Sequence, residues 1–260
     1  KQYMKISRIE KHLRRSHLDR NGVGWHSPFP GVVSCCASLW PIRKDYMNCC
    51  SRHIGAAQTC FGWMSKRYER RYRRKGLDDN QLQLVRELES MGLDGLTLLE
   101  VGCGVGALHQ TLLEKGALNA TGIDLAPRML QLAKNRAKEH KLEQRTQYRL
   151  GDFVEMSESL DKVEVTVLDK VVCCYPAPKE LIRATLDCTS RVIALTYPRK
   201  HLLGEICNKI LNFGFWLFRS DFRSFIHEPR LVQESIEAGG FKRVFDRDSP
   251  MWHTQVYVAG

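Results

Sequence analysis

An apolar run that ends in a glycine-rich turn limits this chain to a small number of folds. Residues 98–106 read Leu-Leu-Glu-Val-Gly-Cys-Gly-Val-Gly, and helical periodicity resumes at Leu108. Glycines allow the backbone to turn tightly and let a ligand lie against it without an intervening Cβ. The G-x-G-x-G spacing is not the dinucleotide-binding G-x-G-x-x-G pattern, and no Gly-Lys-Ser/Thr of a Walker loop follows. The pattern therefore predicts a strand, a ligand-binding turn and a helix.

Strand-like and helix-like patterns alternate along the rest of the chain. Predicted strands cover 97–101, 120–124, 147–150, 163–168, 192–196, 243–246 and 255–258, and predicted helices cover 82–91, 108–115, 128–140, 181–186, 202–218 and 231–238. Such alternation implies a mostly parallel sheet with helices on both faces. Because no helix separates the last two strands, they are expected to form an antiparallel hairpin at the sheet edge. The predicted fold class is α/β, with a Rossmann-like doubly wound sheet and an N-terminal helical cap.

Charge divides the chain into two regions. Residues 1–75 contain 17 Lys and Arg against 4 Asp and Glu, whereas residues 76–260 contain 23 against 25. We predict a basic, Cys-containing extension over 1–59 and a ligand-binding domain over 60–260. Its helical cap is placed at 60–92, where a basic helix is interleaved with aromatic residues: Phe61, Trp63, Tyr68 and Tyr72.

The excess of positive charge is confined to residues 1–75, and this limits the partners that the chain can have. A basic field over the whole chain would favour a nucleic-acid substrate, whereas a local one favours a tail, a targeting sequence or a surface anchor. We therefore expect no nucleic-acid partner. A peripheral membrane contact and organelle targeting through the basic N-terminal segment are both kept as hypotheses.

The ten cysteines are scattered and partly vicinal. Vicinal pairs are poor disulfide geometry and lack the C-x-x-C spacing of zinc sites. We interpret most of them as reduced thiols, which predicts the cytoplasm or another reducing compartment, and we predict no metal site. A zinc or thiol role stays an alternative for the five cysteines nearest the N-terminus: Cys35, Cys36, Cys49, Cys50 and Cys60.

Acidic residues stand at the ends of four predicted strands. Glu100 precedes the first glycine, where a carboxylate would repel a pyrophosphate but would suit a cationic ligand. Asp124 ends the next strand, a position from which a carboxylate can accept both hydroxyl protons of a ribose. Asp152 follows the third strand and can accept a hydrogen bond from the adenine amine. Asp169 follows the fourth, which also brings Tyr175 to the carboxyl edge of the sheet, where open α/β sheets bind ligands.

Taken in order over residues 97–176, these four stretches resemble the class I S-adenosylmethionine-dependent methyltransferases. The resemblance implies S-adenosylmethionine as cofactor, with its methionine moiety at the glycine turn, its ribose at Asp124 and its adenine between apolar side chains. The cofactor-binding residues that it implies are Glu100, Gly102, Cys103, Gly104, Gly106, Asp124, Leu125, Met129, Asp152, Phe153 and Asp169.

Three further segments are similar to the magnesium-protoporphyrin O-methyltransferases, and the quinone-biosynthesis methyltransferases share the same core less closely. The segments are Phe61–Gln83, the step Tyr175-Pro176, and Phe222–His227. The resemblance implies methyl transfer to a small, hydrophobic or aromatic acceptor. The alternatives are methylation of RNA or protein, and a non-catalytic protein that binds the cofactor.

Four residues are predicted on the acceptor side. Tyr175 is the first choice, and Asp169 is expected near the sulfonium. His201 and His227 are candidate bases, because a hydroxyl, thiol or ammonium acceptor would benefit from one; a purely structural role is the alternative for each. Arg223 could pair with a carboxylate of the acceptor or form a surface salt bridge.

The predicted helix over 202–218 is unusually aromatic, although no run of about 18 apolar residues exists to span a bilayer. The alternatives are that it packs on the core or on a second copy of the chain, or that it acts as a lid over an apolar acceptor, for example at a membrane surface.

Overall fold

The computed structural model describes residues 43–260, with side chains described from Arg52 onward. Its seven strands are β1 (Thr97–Val101), β2 (Asn119–Asp124), β3 (Thr146–Leu150), β4 (Val163–Asp169), β5 (Thr189–Pro198), β6 (Phe241–Asp248) and β7 (Trp252–Ala259). They form one sheet in the order β3-β2-β1-β4-β5-β7-β6. The first five strands are parallel, and β7 runs antiparallel to both β5 and β6. The predicted fold class, including the C-terminal edge hairpin, is confirmed.

Eight α-helices accompany the sheet in the described part of the chain. They are α1 (Arg43–Lys75), α2 (Asp79–Ser90), α3 (Ala107–Glu114), α4 (Pro127–Glu139), α5 (Phe153–Met156), α6 (Pro178–Cys188), α7 (Leu202–Leu217) and α8 (Pro229–Ala238). The start of α2 is set by a capping box, in which Asp78 and Gln81 each accept a hydrogen bond from the other's backbone N–H. This arrangement satisfies two N–H groups that have no partner within the helix.

The central strands are mostly apolar because both faces of the sheet are covered. Neighbouring side chains of β1 point to opposite faces, as the pleat of a strand requires. Leu98 packs with Leu84 and Leu112, whereas Leu99 packs on the other face with Leu181 and Ile236. This burial on two sides explains why the sequence shows continuous apolar runs rather than alternation.

Helix α1 spans the position of the predicted domain boundary. The helix runs unbroken from Arg43 to Lys75, so a boundary between residues 59 and 60 would cut through it. The basic run that predicted the cap is only its second half. The stretch 21–41, rich in glycine and proline, does not indicate that a helix begins two residues later, and Gly55 and Gly62 stand inside that helix.

Several sequence predictions fall on residues 1–42, which lie outside the described residues. These include the basic segment near the N-terminus and the pair Cys35 and Cys36. The side chains of Cys49 and Cys50 are likewise outside the described part. Six cysteines within it carry free thiols, including Cys103, Cys173 and Cys174. Of the helices from α1 to α8, none is both long enough and apolar enough to cross a membrane.

Candidate active site

A cavity of about 340 Å³ lies at the carboxyl ends of β1, β2 and β4, beneath α1 and the start of α2. The sheet order reverses between β1 and β4, and this switch point is where open α/β sheets bind ligands. Eleven of the fourteen predicted site residues line the cavity: Glu100, Gly102, Cys103, Gly104, Asp124, Leu125, Met129, Asp152, Phe153, Asp169 and Tyr175. Gly106, His201 and His227 are not among its lining residues.

The glycine turn takes backbone conformations that favour glycine. Gly102, Gly104 and Gly106 have φ of 65°, 53° and 76°. A Cβ at Gly102 would come within 2.5 Å of Val171 Cγ2, whereas a Cβ at Gly104 would meet no atom within 4 Å. Gly102 is therefore required for packing, and Gly104 leaves open space on the wall of the cavity.

Glu100 is buried and paired. Its Oε2 lies 2.5 Å from Nδ1 of His109 and accepts a hydrogen bond from the His109 backbone N–H. His109 Nε2 is in turn 3.0 Å from the Tyr148 hydroxyl, which extends the network to α4. Burial raises the pKa of Glu100, and the neighbouring imidazole opposes that shift. Sequence reasoning missed His109, although its position on the first helix after the turn could have suggested it.

Asp124 fixes the second loop at the cavity wall. One carboxylate oxygen accepts the Gly104 N–H and the other accepts the Ala126 N–H, each at 2.8 Å. Burial raises the pKa of Asp124 to about 6, although these N–H donors favour the ionised form. The carboxylate thus links the glycine turn to the end of β2 and faces the cavity.

A pH dependence of cofactor binding follows if Asp124 accepts the hydroxyls of a ribose, as predicted. The acceptor is the ionised form, which decreases as the pH falls through about 6. We expect affinity to fall by about tenfold between about pH 7.5 and about pH 5. Isothermal titration at several pH values measures this, with circular dichroism to confirm that the fold persists. In Asp124→Asn the affinity should be weaker and nearly independent of pH over this range. A wild-type protein with constant affinity would contradict the ribose assignment.

Asp169 is held by side chains from α2 and β5. Its carboxylate accepts hydrogen bonds from Gln81 Nε2, at 2.6 Å, and from the Thr196 hydroxyl. Gln81 also donates to the Tyr72 hydroxyl at 2.7 Å, and the pKa of Tyr72 is raised by burial. The phenol therefore stays protonated at neutral pH. Gln81 and Tyr72 bring the cap into the site, and neither was among the predicted site residues.

A second group of charges closes the cap onto β4. Lys170 Nζ lies 2.6 Å from Asp78 and 3.4 Å from Asp169, and Arg71 contacts the same Asp78 carboxylate at 3.3 Å. These cations lower the pKa of Asp78, against the effect of its partial burial. Lys170 has φ of 58°, an uncommon conformation for a residue with a side chain, directly after Asp169. No sequence pattern indicates that Asp78 would meet Lys170, which lies 92 positions away in the chain.

Tyr175 and the two candidate bases have defined structural contacts. The Tyr175 hydroxyl donates to Asp152, whose same oxygen accepts the Val154 N–H at the start of α5. His227 lies outside the cavity, with Nε2 2.9 Å from the Tyr175 carbonyl oxygen, and burial lowers its pKa. His201 is the N-cap of α7, where its Nδ1 accepts the Gly204 N–H. The geometry thus supports the structural alternative for both histidines, because neither lines the cavity.

Helix α1 provides the remaining wall. His53, Ile54, Ala57, Phe61 and Tyr68 all line the cavity. The ring of His53 stacks on Phe222, with centroids 5.3 Å apart, and its Nε2 is 2.9 Å from the Cys174 carbonyl oxygen. Residues 53–57 belong to the region that was predicted as an extension, so this part of the site was missed. Trp63, predicted with the cap aromatics, is exposed instead.

Comparison with known proteins identifies the core of the chain. Residues 93–236 match the family model described as "Methyltransferase domain". A ubiquinone biosynthesis O-methyltransferase of Coxiella burnetii is 25% identical over 178 residues, which are 63% of this chain and 70% of that protein.

Two solved structures share the fold. One is a magnesium protoporphyrin IX methyltransferase from Synechocystis PCC 6803 with bound SAH, with a TM-score of 0.58 and 19% identity over 76% of this chain and 97% of that one. The other is a geranyl diphosphate C-methyltransferase from Streptomyces coelicolor A3(2), with a TM-score of 0.56 and 12% identity over 69% of this chain and 78% of that one.

Proposed function

The chain belongs to the family of methyltransferase domains and uses S-adenosylmethionine as its methyl donor, and from this premise we propose that it methylates a small, hydrophobic or aromatic acceptor. The observation that carries the proposal is the wall of apolar and aromatic side chains that α1 places over the carboxyl edge of the sheet. A cavity of about 340 Å³ falls within the size range of small-molecule sites.

The residues at the cavity fit a cationic ligand that carries a ribose. Of the acidic residues that line it, Glu100, Asp124 and Asp169 stand at the ends of parallel strands. Opposite charge nearby stabilises a sulfonium, whereas a pyrophosphate would be repelled. The open space at Gly104 lets a ligand approach the backbone closely. We assign these groups to cofactor binding.

The methyl-transfer step requires little chemistry from the protein itself. When bound, the cofactor supplies a methyl group that is already activated, so an in-line displacement needs no protein nucleophile. Preorganisation is then the main contribution of the protein, because reactants held in line react far faster than free ones. Gln81 and Thr196 hold the Asp169 carboxylate in place, and α1 covers the site so that water is excluded.

The names of the similar proteins also support a small acceptor. One is named for ubiquinone biosynthesis, and the two structures are named for magnesium protoporphyrin IX and geranyl diphosphate. All three names refer to small molecules that have a large apolar or aromatic part. The near-neutral charge of residues 76–260 agrees with an acceptor other than a nucleic acid.

A labelling experiment tests the proposal. The full chain is incubated with cofactor carrying a labelled methyl group and with a cell extract that is then separated into small molecules and macromolecules. We expect label in the organic-soluble small-molecule fraction. Label confined to protein or RNA would overturn the proposal, and cofactor binding without any turnover would identify a non-catalytic binding protein.

A charge placed on the apolar wall should separate acceptor binding from cofactor binding. Ile54 lines the cavity, whereas Gln58 is exposed one turn further along the same helix. We expect Ile54→Asp to reduce labelling of the small-molecule acceptor by at least about tenfold, because burying an unpaired carboxylate is costly. Cofactor affinity should stay unchanged, and Gln58→Asp should leave both quantities unchanged. Equal activity in the two variants would argue against an acceptor at this wall.

A further inference from the structure

Helix α7 is amphipathic with its apolar side turned away from the protein. Asn208 and Asn212 both donate to the Ser224 carbonyl oxygen, and Asn212 also accepts the Ser224 N–H. The polar side of the helix therefore faces the segment 220–228. Only Gly204 is buried within α7 itself. This is the reverse of the usual arrangement, in which the apolar stripe faces the core.

The exposed apolar face is large and continuous. Sixteen large hydrophobic residues are exposed in the described part of the chain, and nine of them lie between 202 and 218. Leu203, Ile206, Ile210, Phe213 and Leu217 recur at intervals of three and four, which places them on one side of the helix. Ile210 and Phe213 are 65% and 61% exposed. A contiguous apolar patch of this kind marks an interaction site.

The residues around this face match the interfacial region of a bilayer. Trp216 and Phe218, 61% and 84% exposed, stand at the C-terminal end of the helix and are followed by the exposed Arg219. Aromatic and basic residues together are typical of the boundary between acyl chains and headgroups. The face is also wider than the narrow a/d stripe of a coiled-coil dimer, because Leu202 and Trp216 extend it on one side and Leu211 and Phe218 on the other.

Two features favour a lipid surface as the partner of this face: the positive charge of α1, and the contact between α7 and the wall of the active site. Helix α1 carries ten Lys and Arg against two Asp and Glu, which would attract anionic headgroups. The segment after α7 contacts this helix, since the Phe222 ring lies 5.4 Å from Phe61 and 5.0 Å from Phe215. Phe61 lines the cavity. Helix α7 is therefore connected, through its inward-facing Phe215 and one aromatic cluster, to the wall of the active site.

We propose that α7 docks the protein on the surface of an anionic phospholipid bilayer, with the apolar face of the helix inserted at the level of the headgroups. The helix lies in the plane of the interface, as amphipathic helices of this kind do, and does not cross the membrane. The proposal concerns α7 and differs from the membrane contact predicted for the basic N-terminal segment. It does not depend on which acceptor is methylated.

Vesicle flotation of the full chain tests the proposal. The vesicles contain phosphatidylcholine alone or phosphatidylcholine mixed with phosphatidylserine. The variant is Ile210→Ser/Phe213→Ser/Trp216→Ser, in which all three side chains are exposed in the wild type. We expect wild-type protein to float with the mixed vesicles and the variant to lose at least about tenfold in partitioning. The control variant Leu118→Ser/Leu150→Ser, at two separate exposed positions, should float like the wild type.

Two other measurements make each outcome decisive. Cofactor titration and circular dichroism should be the same for all three proteins, which shows that the variants are folded. Equal flotation of the wild type and the α7 variant would overturn the proposal and indicate attachment through the basic segments. A wild-type dimer that becomes a monomer in the α7 variant, with no flotation of either, would overturn it in favour of a second copy on this face.

Discussion

Gly104→Val is expected to weaken S-adenosylmethionine binding by at least about tenfold while the protein stays folded. At this position a Cβ would meet no protein atom within 4 Å, so the added side chain projects into the cavity rather than into the core. A ligand lying against the turn would lose that space. A ligand that is held away from the backbone loses the van der Waals contacts and hydrogen bonds that it makes with the turn.

Backbone strain needs its own control, because Gly104 has φ of 53° and a β-branched residue is unfavourable there. Gly95 has φ of 76°, is exposed, does not line the cavity and would also place its Cβ in open space. Gly95→Val thus carries comparable strain without reaching the ligand. We expect both variants to lose similar stability in urea titration and only Gly104→Val to lose affinity in calorimetry. If the two bind the cofactor equally well, the cofactor does not lie against the turn.

His109→Ala is expected to lower the free energy of unfolding by about 3–5 kcal/mol, the typical cost of removing one partner from a buried pair. His109 and Glu100 are both buried, and their side chains are 1% and 5% exposed. Without the imidazole, the Glu100 carboxylate keeps only the backbone N–H at position 109 as a partner. Since His109 lowers the pKa of Glu100, that pKa should rise further in the variant.

The pKa of Glu100 is higher in the folded protein than in the unfolded chain. The free energy of unfolding therefore decreases as the pH rises through the range between these two pKa values, because the folded state then has to lose a proton that it holds more tightly. The deficit of His109→Ala relative to wild type should therefore be larger at about pH 8 than at about pH 5. The matched control is His140→Ala, which breaks an exposed His–Glu pair of 2.7 Å with Glu114 and should cost no more than about 1 kcal/mol. Urea unfolding measures the free energy of unfolding of both variants. Equal decreases would show that the buried pair stabilises the protein no more than the exposed one.

The side of the cavity at the sheet edge could be predicted because it depends on local signals. Glu100, Asp124, Asp152 and Asp169 each stand at or just after the end of a predicted strand, and parallel strands bring such positions to one edge of a sheet. All four line the cavity. Fold class follows from the same alternation of strands and helices.

The side of the cavity formed by α1 and α2 could not be predicted in the same way. His53 and Gln81 reach the cavity from helices that precede the first strand, and no strand end or glycine turn beside them marks them as site residues. Gln81 lies 88 positions from Asp169, to which it donates. Conversely, His201 follows a strand, as the carboxylates do, but its ring caps α7. A position after a strand is informative only when the side chain also turns toward the cavity.

The sequence by itself determined the parallel sheet, the glycine turn and the order of the carboxylates, because these features arise from backbone geometry and from residues close together in the chain. Tertiary structure alone decided how α1 covers the site, which charges meet at Asp78 and which side of α7 faces the solvent. The physical reason is that helical periodicity gives the apolar side of a helix but not its partner. For α7, hydrogen bonds between Asn212 and the backbone at Ser224 turn the polar side inward and leave the apolar side exposed.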